Sequence, residues 1–384
     1  IFLVFASIAQ SQESDSLVDL SKINFNVKTA GLQTLLDSCF AYSNSNPKLS
    51  IYFGENALEK IDSRTPLLTK AKLYTALGRN YHDIGNYVKS IYFYFEELKL
   101  YHDNNGEYDK HIISASINIG ESFRAAVDFN SAIEHLNKAI YLIKKTGITK
   151  NLSFALDRLA SVYFEIGITN HDTNAIFKSI SLADSSLKLS RLEKDTGLVC
   201  SNLNVLGACN AYLSNYKTAI KYFSEADSYY PRDEINRSNL LNNIANAYLL
   251  INDLDNAIKY ATESYNLAKP KGILVYLREA TGILNKAHKK KGNFELAFIY
   301  LEEFNAHSFH LYNDETRNKL LYAEKKYEAD KNKRTLEDEK KNKFITISAI
   351  FLIAVFGITL FYVRQRYYKK KNLILTELNN TKNK

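Results

Sequence analysis

The chain has 384 residues, 46% hydrophobic and 24% charged, with 14 Gly and 4 Pro. That balance excludes a disordered or collagen-like chain, and so few turn residues argue against a β-rich fold. Three cysteines are too few for a disulfide framework, and no CxxC pair is present to hold zinc. Of the formal net charge of +8, +6 lies in residues 364–384 and +2 in 314–343, which leaves residues 1–313 neutral. A neutral body gives no electrostatic footprint for nucleic acid.

In chain order, Ile1–Ala9 (IFLVFASIA) reads as the end of a signal-peptide apolar region. Ser7 and Ala9 supply the small residues a cleavage site before Gln10 requires. The sequence opens at Ile1 and contains 0 Met, so it is expected to belong to a longer reading frame.

Residues 20–304 are self-similar. Each unit has an aliphatic residue followed by a small one, an aromatic about three later, a polar turn, then Ala or Ser before Ile. The clearest unit is Leu77-Gly78-x-x-Tyr81-x-x-x-Gly85-Asn86-Tyr87-x-x-Ser90-Ile91. Ile119-Gly120, Leu206-Gly207, Ile244-Ala245 and Leu284-Asn285 open further units, Leu159-Ala160 a looser one, and a partial first unit runs from Asn46 to Leu58. A small residue allows two antiparallel helices to approach closely, and the aromatics fill gaps between neighbouring hairpins. One hairpin cannot bury its apolar face alone, so the units are expected to stack.

These residues resemble the tetratricopeptide repeat family, with its LG-x-x-Y…G-N/D-Y/F-x-x-A core, in about seven units. The resemblance implies an all-α fold, a TPR-like α-α superhelix or solenoid. The small-residue positions are 42, 40, 47, 38 and 40 residues apart, longer than the family's repeat, so helices longer by about a turn are expected. The resemblance also implies that the first helix of each hairpin lines a concave groove for a protein or peptide. Carried onto this sequence, the groove residues are Arg79, His82, Asn118, Arg124, Asn204, Asn239, Asn242, Asn243, Asn246, Lys286 and Lys289. Asn239, Asn242 and Asn246 recur at i, i+3 and i+7, so one helical face would offer amides that both donate to and accept from a peptide backbone.

Enzyme chemistry finds no footing. GxGxxG, GxxxxGK, HExxH and GxSxG are absent, the 8 His are scattered, and neither a cofactor nor a metal site is expected. Asn252-Asp253-Leu254-Asp255-Asn256 lacks the Gly and distal Glu of a calcium loop.

Residues 305–343 read as a charged helical stalk, one that a homodimeric coiled coil would also accommodate. Phe344–Val363 is twenty residues without a charge, about 30 Å as a helix, so a single transmembrane helix in the lipid bilayer is expected. Lys and Arg flank both ends and do not decide the orientation. The signal-peptide reading does, placing the array outside the cytoplasm and the basic linker 364–384 inside it. Repeats, a charged helix with Tyr327-Glu328-x-Asp330-Lys331 and one span resemble exported bacterial TPR sensors. Leu373–Lys384 is similar to the helix that leads into the phosphoacceptor box of sensor histidine kinases, although no phosphoacceptor motif or ATP-binding box occurs in these residues. An envelope scaffold without signalling output and a membrane-tethered transcription regulator remain alternatives.

Overall fold

The structure, a computed structural model, describes residues 27, 30–43, 45–101, 106–230 and 237–309. Beyond these it describes 311, 322, 340–341, 343–348, 355–356, 359–372 and 375. The chain divides into two units, Ile1–Tyr322 and Ala323–Lys384. The predicted signal segment Ile1–Ala9 and most of the predicted stalk lie outside the described residues.

The first unit is all-α. Its helices are α1 (Leu32–Tyr42), α2 (Pro47–Leu58), α3 (Leu67–Asp83), α4 (Tyr87–Lys99), α5 (Asp109–Ala125), α6 (Phe129–Thr146) and α7 (Leu152–Asn170). They continue with α8 (Thr173–Glu193), α9 (Thr196–Tyr212), α10 (Tyr216–Asp227), α11 (Arg237–Leu250), α12 (Leu254–Ala268), α13 (Leu274–Lys290) and α14 (residues 294–309). From α1 to α12 each odd-numbered helix pairs with the next and each pair packs on the following helix, and α14 packs on α13 through Asn285 with Ala297 and His288 with Tyr300. Seven hairpins are thus stacked in sequence order among the described residues.

One turn design recurs. The backbone N–H of Asn86, Asp128, Asp172, Asn215, Asp253 and Asn293 donates to the carbonyls of Tyr81, Phe123, Gly167, Asn210, Tyr248 and His288, at 2.8–3.0 Å. This closes the first helix of the second to seventh hairpins around one left-handed residue. The side chains of Asn86, Asp128, Asp172 and Asp253 then accept from backbone N–H groups at the start of the second helix. Gly and Asn are the residues that tolerate a left-handed backbone most readily. Gly85, Asn252 and Gly292 fit, but Val127, His171 and Ser214 take the same conformation at φ 62°, 53° and 63°. The backbone bond that closes the first helix spans this residue in all three, and holds even the β-branched Val127 in the conformation.

The small-residue position is explained by contact. A Cβ on Gly78 would lie 2.8 Å from the Tyr94 ring, and one on Gly120 would lie 2.7 Å from Leu136. Gly207 has the ring of Phe223 against it in the same way. In two other hairpins Ala160 and Ala245 fill the same place, fully buried. A cross-hairpin pair also recurs: Lys89 donates to the Tyr81 hydroxyl and Lys178 to that of Tyr163, both at 2.7 Å, with each ammonium over the ring. Lys89 and Lys178 occupy equivalent places, one residue before the buried Ser90 and Ser179.

One buried acid makes stability depend on pH. Glu97 of α4 is 4% exposed, and burial outweighs hydrogen bonding to Thr75 and Tyr101, raising its carboxyl to about 7. A raised carboxyl contributes fully below its ordinary value near 4.5, and that contribution is lost as pH rises through about 7. Glu97→Gln cannot ionise. In urea unfolding at pH 5 and pH 8, its stability should fall by roughly 2–3 kcal/mol less than the parent's over that interval. Parallel profiles would show that Glu97 does not titrate in this range.

In the second unit the described residues 340–341, 343–348, 355–356, 359–372 and 375 are helical. Among the described residues no helix is long and apolar enough to cross a membrane. The predicted span Phe344–Val363 includes residues 349–354 and 357–358, which lie outside the described residues.

Candidate functional site

The first helices of successive hairpins touch one another, α5 on α7, α7 on α9, α9 on α11 and α11 on α13, and together they form one wall of the array. Every groove residue expected from the sequence lies on one of these first helices. Their surroundings differ.

At the N-terminal end, Arg79 is exposed on α3 and lines a cleft of about 290 Å³ with Phe40, Ser43, Lys72 and Thr75. His82 is half-buried, edge-on to Tyr87 with centroids 5.5 Å apart, and its Nδ1 lies 3.7 Å from Asp83. Asn118 is half-buried on α5.

Arg124 is not an open contact residue. Its guanidinium is 22% exposed, 2.5 Å from Glu121 and paired with Glu165 of the next hairpin. Burial raises the Glu121 carboxyl, but the Arg124 hydrogen bond and charge outweigh it and hold the group at about 2. Behind this pair, Asp157 is fully buried against Arg158 at 2.7 Å, and its burial pushes its carboxyl up. A ligand recruiting Arg124 would have to strip two carboxylates of their partner, so the residue is a brace between hairpins.

At the C-terminal end the asparagines separate. Asn242 is 2% exposed, and its amide donates to the Tyr276 carbonyl at 3.0 Å and to Glu279 at 3.5 Å, tying α11 to α13. The expected stripe of Asn239, Asn242 and Asn246 is therefore broken, because position 242 turns into the helix–helix contact. Asn243 takes its place, donating to Oδ1 of Asn204 at 2.9 Å across the wall. Asn239 is half-buried and Asn246 exposed. Asn243, Asn246 and Lys286 meet in a cleft of about 300 Å³ that Arg278, Glu279, Gly282 and Phe304 also line. Asn242 also lines this cleft, and its Oδ1 is buried without a hydrogen-bond partner. Burial raises the Glu279 carboxyl, and Arg278 lies 3.9 Å from it; Lys286 is the exposed cation of the cleft. Lys289 is exposed at the end of α13 and does not line this cleft.

A larger cleft of about 710 Å³ is lined by Phe154, Arg158, Glu193, Asp195 and Ser201 among others. None of these was expected from the sequence. Arg158 directly follows Asp157, whose full burial fixes the rotation of α7 that turns Arg158 towards this cleft.

Residues 238–270, the α11–α12 hairpin, match the tetratricopeptide repeat family. No curated protein matches the chain. Among solved structures, the apo form of RapI is similar over 73% of this chain and 99% of its own, with a TM-score of 0.52 and 14% identity. NprR in complex with its cognate peptide NprX is similar over 81% and 82%, with a TM-score of 0.53 and 14% identity. The STAND protein with a tetratricopeptide repeat sensor from Pyrococcus horikoshii is similar over 74% of this chain and 43% of that one, with a TM-score of 0.54 and 16% identity. At these identities the likeness is one of fold: residues 32–309 form a tetratricopeptide-repeat-like array of helical hairpins.

Proposed function

We propose that the array is a protein-interaction module that binds an extended polypeptide segment along the wall of first helices, and that it performs no catalysis. The observation that carries this reading is the cleft between α11 and α13. Asn243 and Asn246 offer amides, Arg278 and Lys286 offer cations, and Asn242 Oδ1 is a buried acceptor in need of a donor. Main-chain groups of a ligand would pair with the amides of Asn243 and Asn246, and an acidic side chain or terminus would face Lys286. The complex of NprR with its cognate peptide, a protein of similar fold, supports the choice of ligand class.

We further propose that the array is the exported, membrane-anchored input part of a signalling protein. The uncharged run Phe344–Val363 with its basic flanks supports the anchor. The order of repeats, charged segment and span supports transmission to a cytoplasmic output.

Selection of a displayed-peptide library on the immobilised chain tests the binding reading. Enriched peptides should bind in solution, and the double variant Asn246→Ala, Lys286→Glu should weaken them at least tenfold, about 1.4 kcal/mol. Enrichment of nothing, or binding indifferent to that variant, would remove the cleft from the account.

A further inference from the structure

Helix α14 ends the described array. Every earlier second helix packs against the first helix of the following hairpin, whereas among the described residues no further hairpin follows α14. Its inner side is occupied: Ala297 is buried, Asn285 donates to the Ala297 carbonyl at 2.7 Å, and Tyr300 stacks on His288 with centroids 5.7 Å apart. A free side carries Phe294, Phe298 and Leu301 at i, i+4 and i+7, one helical stripe exposed by 69%, 60% and 39%, and Leu296 and Ile299 are exposed on the adjoining face. No other pair of phenylalanines four residues apart in the described array is exposed to that degree.

We propose that this stripe is a self-association surface on which a second copy of the chain docks, α14 lying antiparallel to its counterpart about a two-fold axis near Phe298. The area fits. At roughly 200 Å² per aromatic side chain, these exposures leave roughly 330 Å² of apolar surface on each copy. Two copies would bury roughly 650 Å², the apolar half of an interface of about 1,200 Å², the lower bound for a specific dimer. The charges fit as well. Exposed Lys289 and Lys290 precede the stripe, with exposed Glu295 offsetting one of them, and exposed Glu302 follows it. Antiparallel docking sets the basic end of each copy towards the acidic end of the other and aligns the helix dipoles head to tail. An anionic lipid surface would meet Glu295 and Glu302 beside the stripe and is disfavoured. A foreign helix of one charge sign would complement one end of the stripe alone.

The test uses the full chain in mild detergent. Phe298→Cys places a thiol at the axis, and mild oxidation should convert most of the chain into a covalent dimer. The parent, whose Cys39, Cys200 and Cys209 are buried, should stay uncross-linked. In sedimentation, Phe294→Glu with Phe298→Glu should raise the dimer dissociation constant at least tenfold while the helical circular dichroism stays unchanged. If that variant fails to fold, the cross-link at position 298 decides the matter. A Phe298→Cys chain that stays monomeric on oxidation overturns the proposal. So does a monomeric parent whose Phe294 and Phe298 are shielded from radical labelling, which would assign the stripe to residues 310–343 of the same chain. Shielding that needs another protein overturns it as well.

Discussion

Gly207→Leu should destabilise the array by about 3 kcal/mol, the upper end of the cost of overpacking, and lower its melting temperature by roughly 5–10 °C. The glycine lies on α9 where the Phe223 ring of α10 presses against the backbone, and even a Cβ would overlap that ring. Neither partner can yield easily. Phe223 is 1% exposed within a core that includes Leu203, Leu206 and Ile244, so moving it would disturb the next hairpin as well. The check is a double-mutant cycle. Phe223→Ala alone should cost about 3–5 kcal/mol. Combined with Gly207→Leu it should cost at least 1 kcal/mol less than the sum, because each change relieves the other. Strict additivity would mean that the two helices are not held at this distance.

Arg124→Ala should cost about 3–5 kcal/mol, because it leaves Glu121 and Glu165 facing each other without their shared cation. The loss should depend on pH with a definite sign. The depressed Glu121 carboxyl contributes stability above its ordinary value near 4.5, and that contribution is lost as pH falls through about 2. The deficit of the variant should therefore be largest near pH 7 and shrink towards pH 3, as read by denaturant unfolding. Arg124→Lys should restore part of the loss, since an ammonium keeps the charge but not the fork that reaches two carboxylates. A deficit that grows on acidification would contradict this assignment.

Much of the fold is legible in the sequence because its determinants are local and repeated. Gly120 reads as a helix-crossing residue from its neighbours Ile119 and Phe123, and Asn86 and Asp128 read as the starts of second helices. What is not legible depends on residues one repeat away. Arg124 looks like a surface cation until Glu165, 41 residues on, is placed beside it. Asn242 and Asn243 are adjacent and chemically identical. Their rotation about α11 relative to α13 buries one and opens the other. The Asn204–Asn243 bond spans 39 residues, close to the repeat length, so superposing the repeats would have indicated it. The left-handed Val127 has no local signal at all, because its conformation is fixed by bonds on either side of it.

The most direct test of the account is hydrogen exchange of the full chain with and without a peptide selected for binding. Slowed exchange should fall on α9, α11 and α13, the helices that carry Asn204, Asn243, Asn246 and Lys286, and should leave α10 and α12 unchanged. Protection confined to the second helices, or to residues beyond 309, would contradict it.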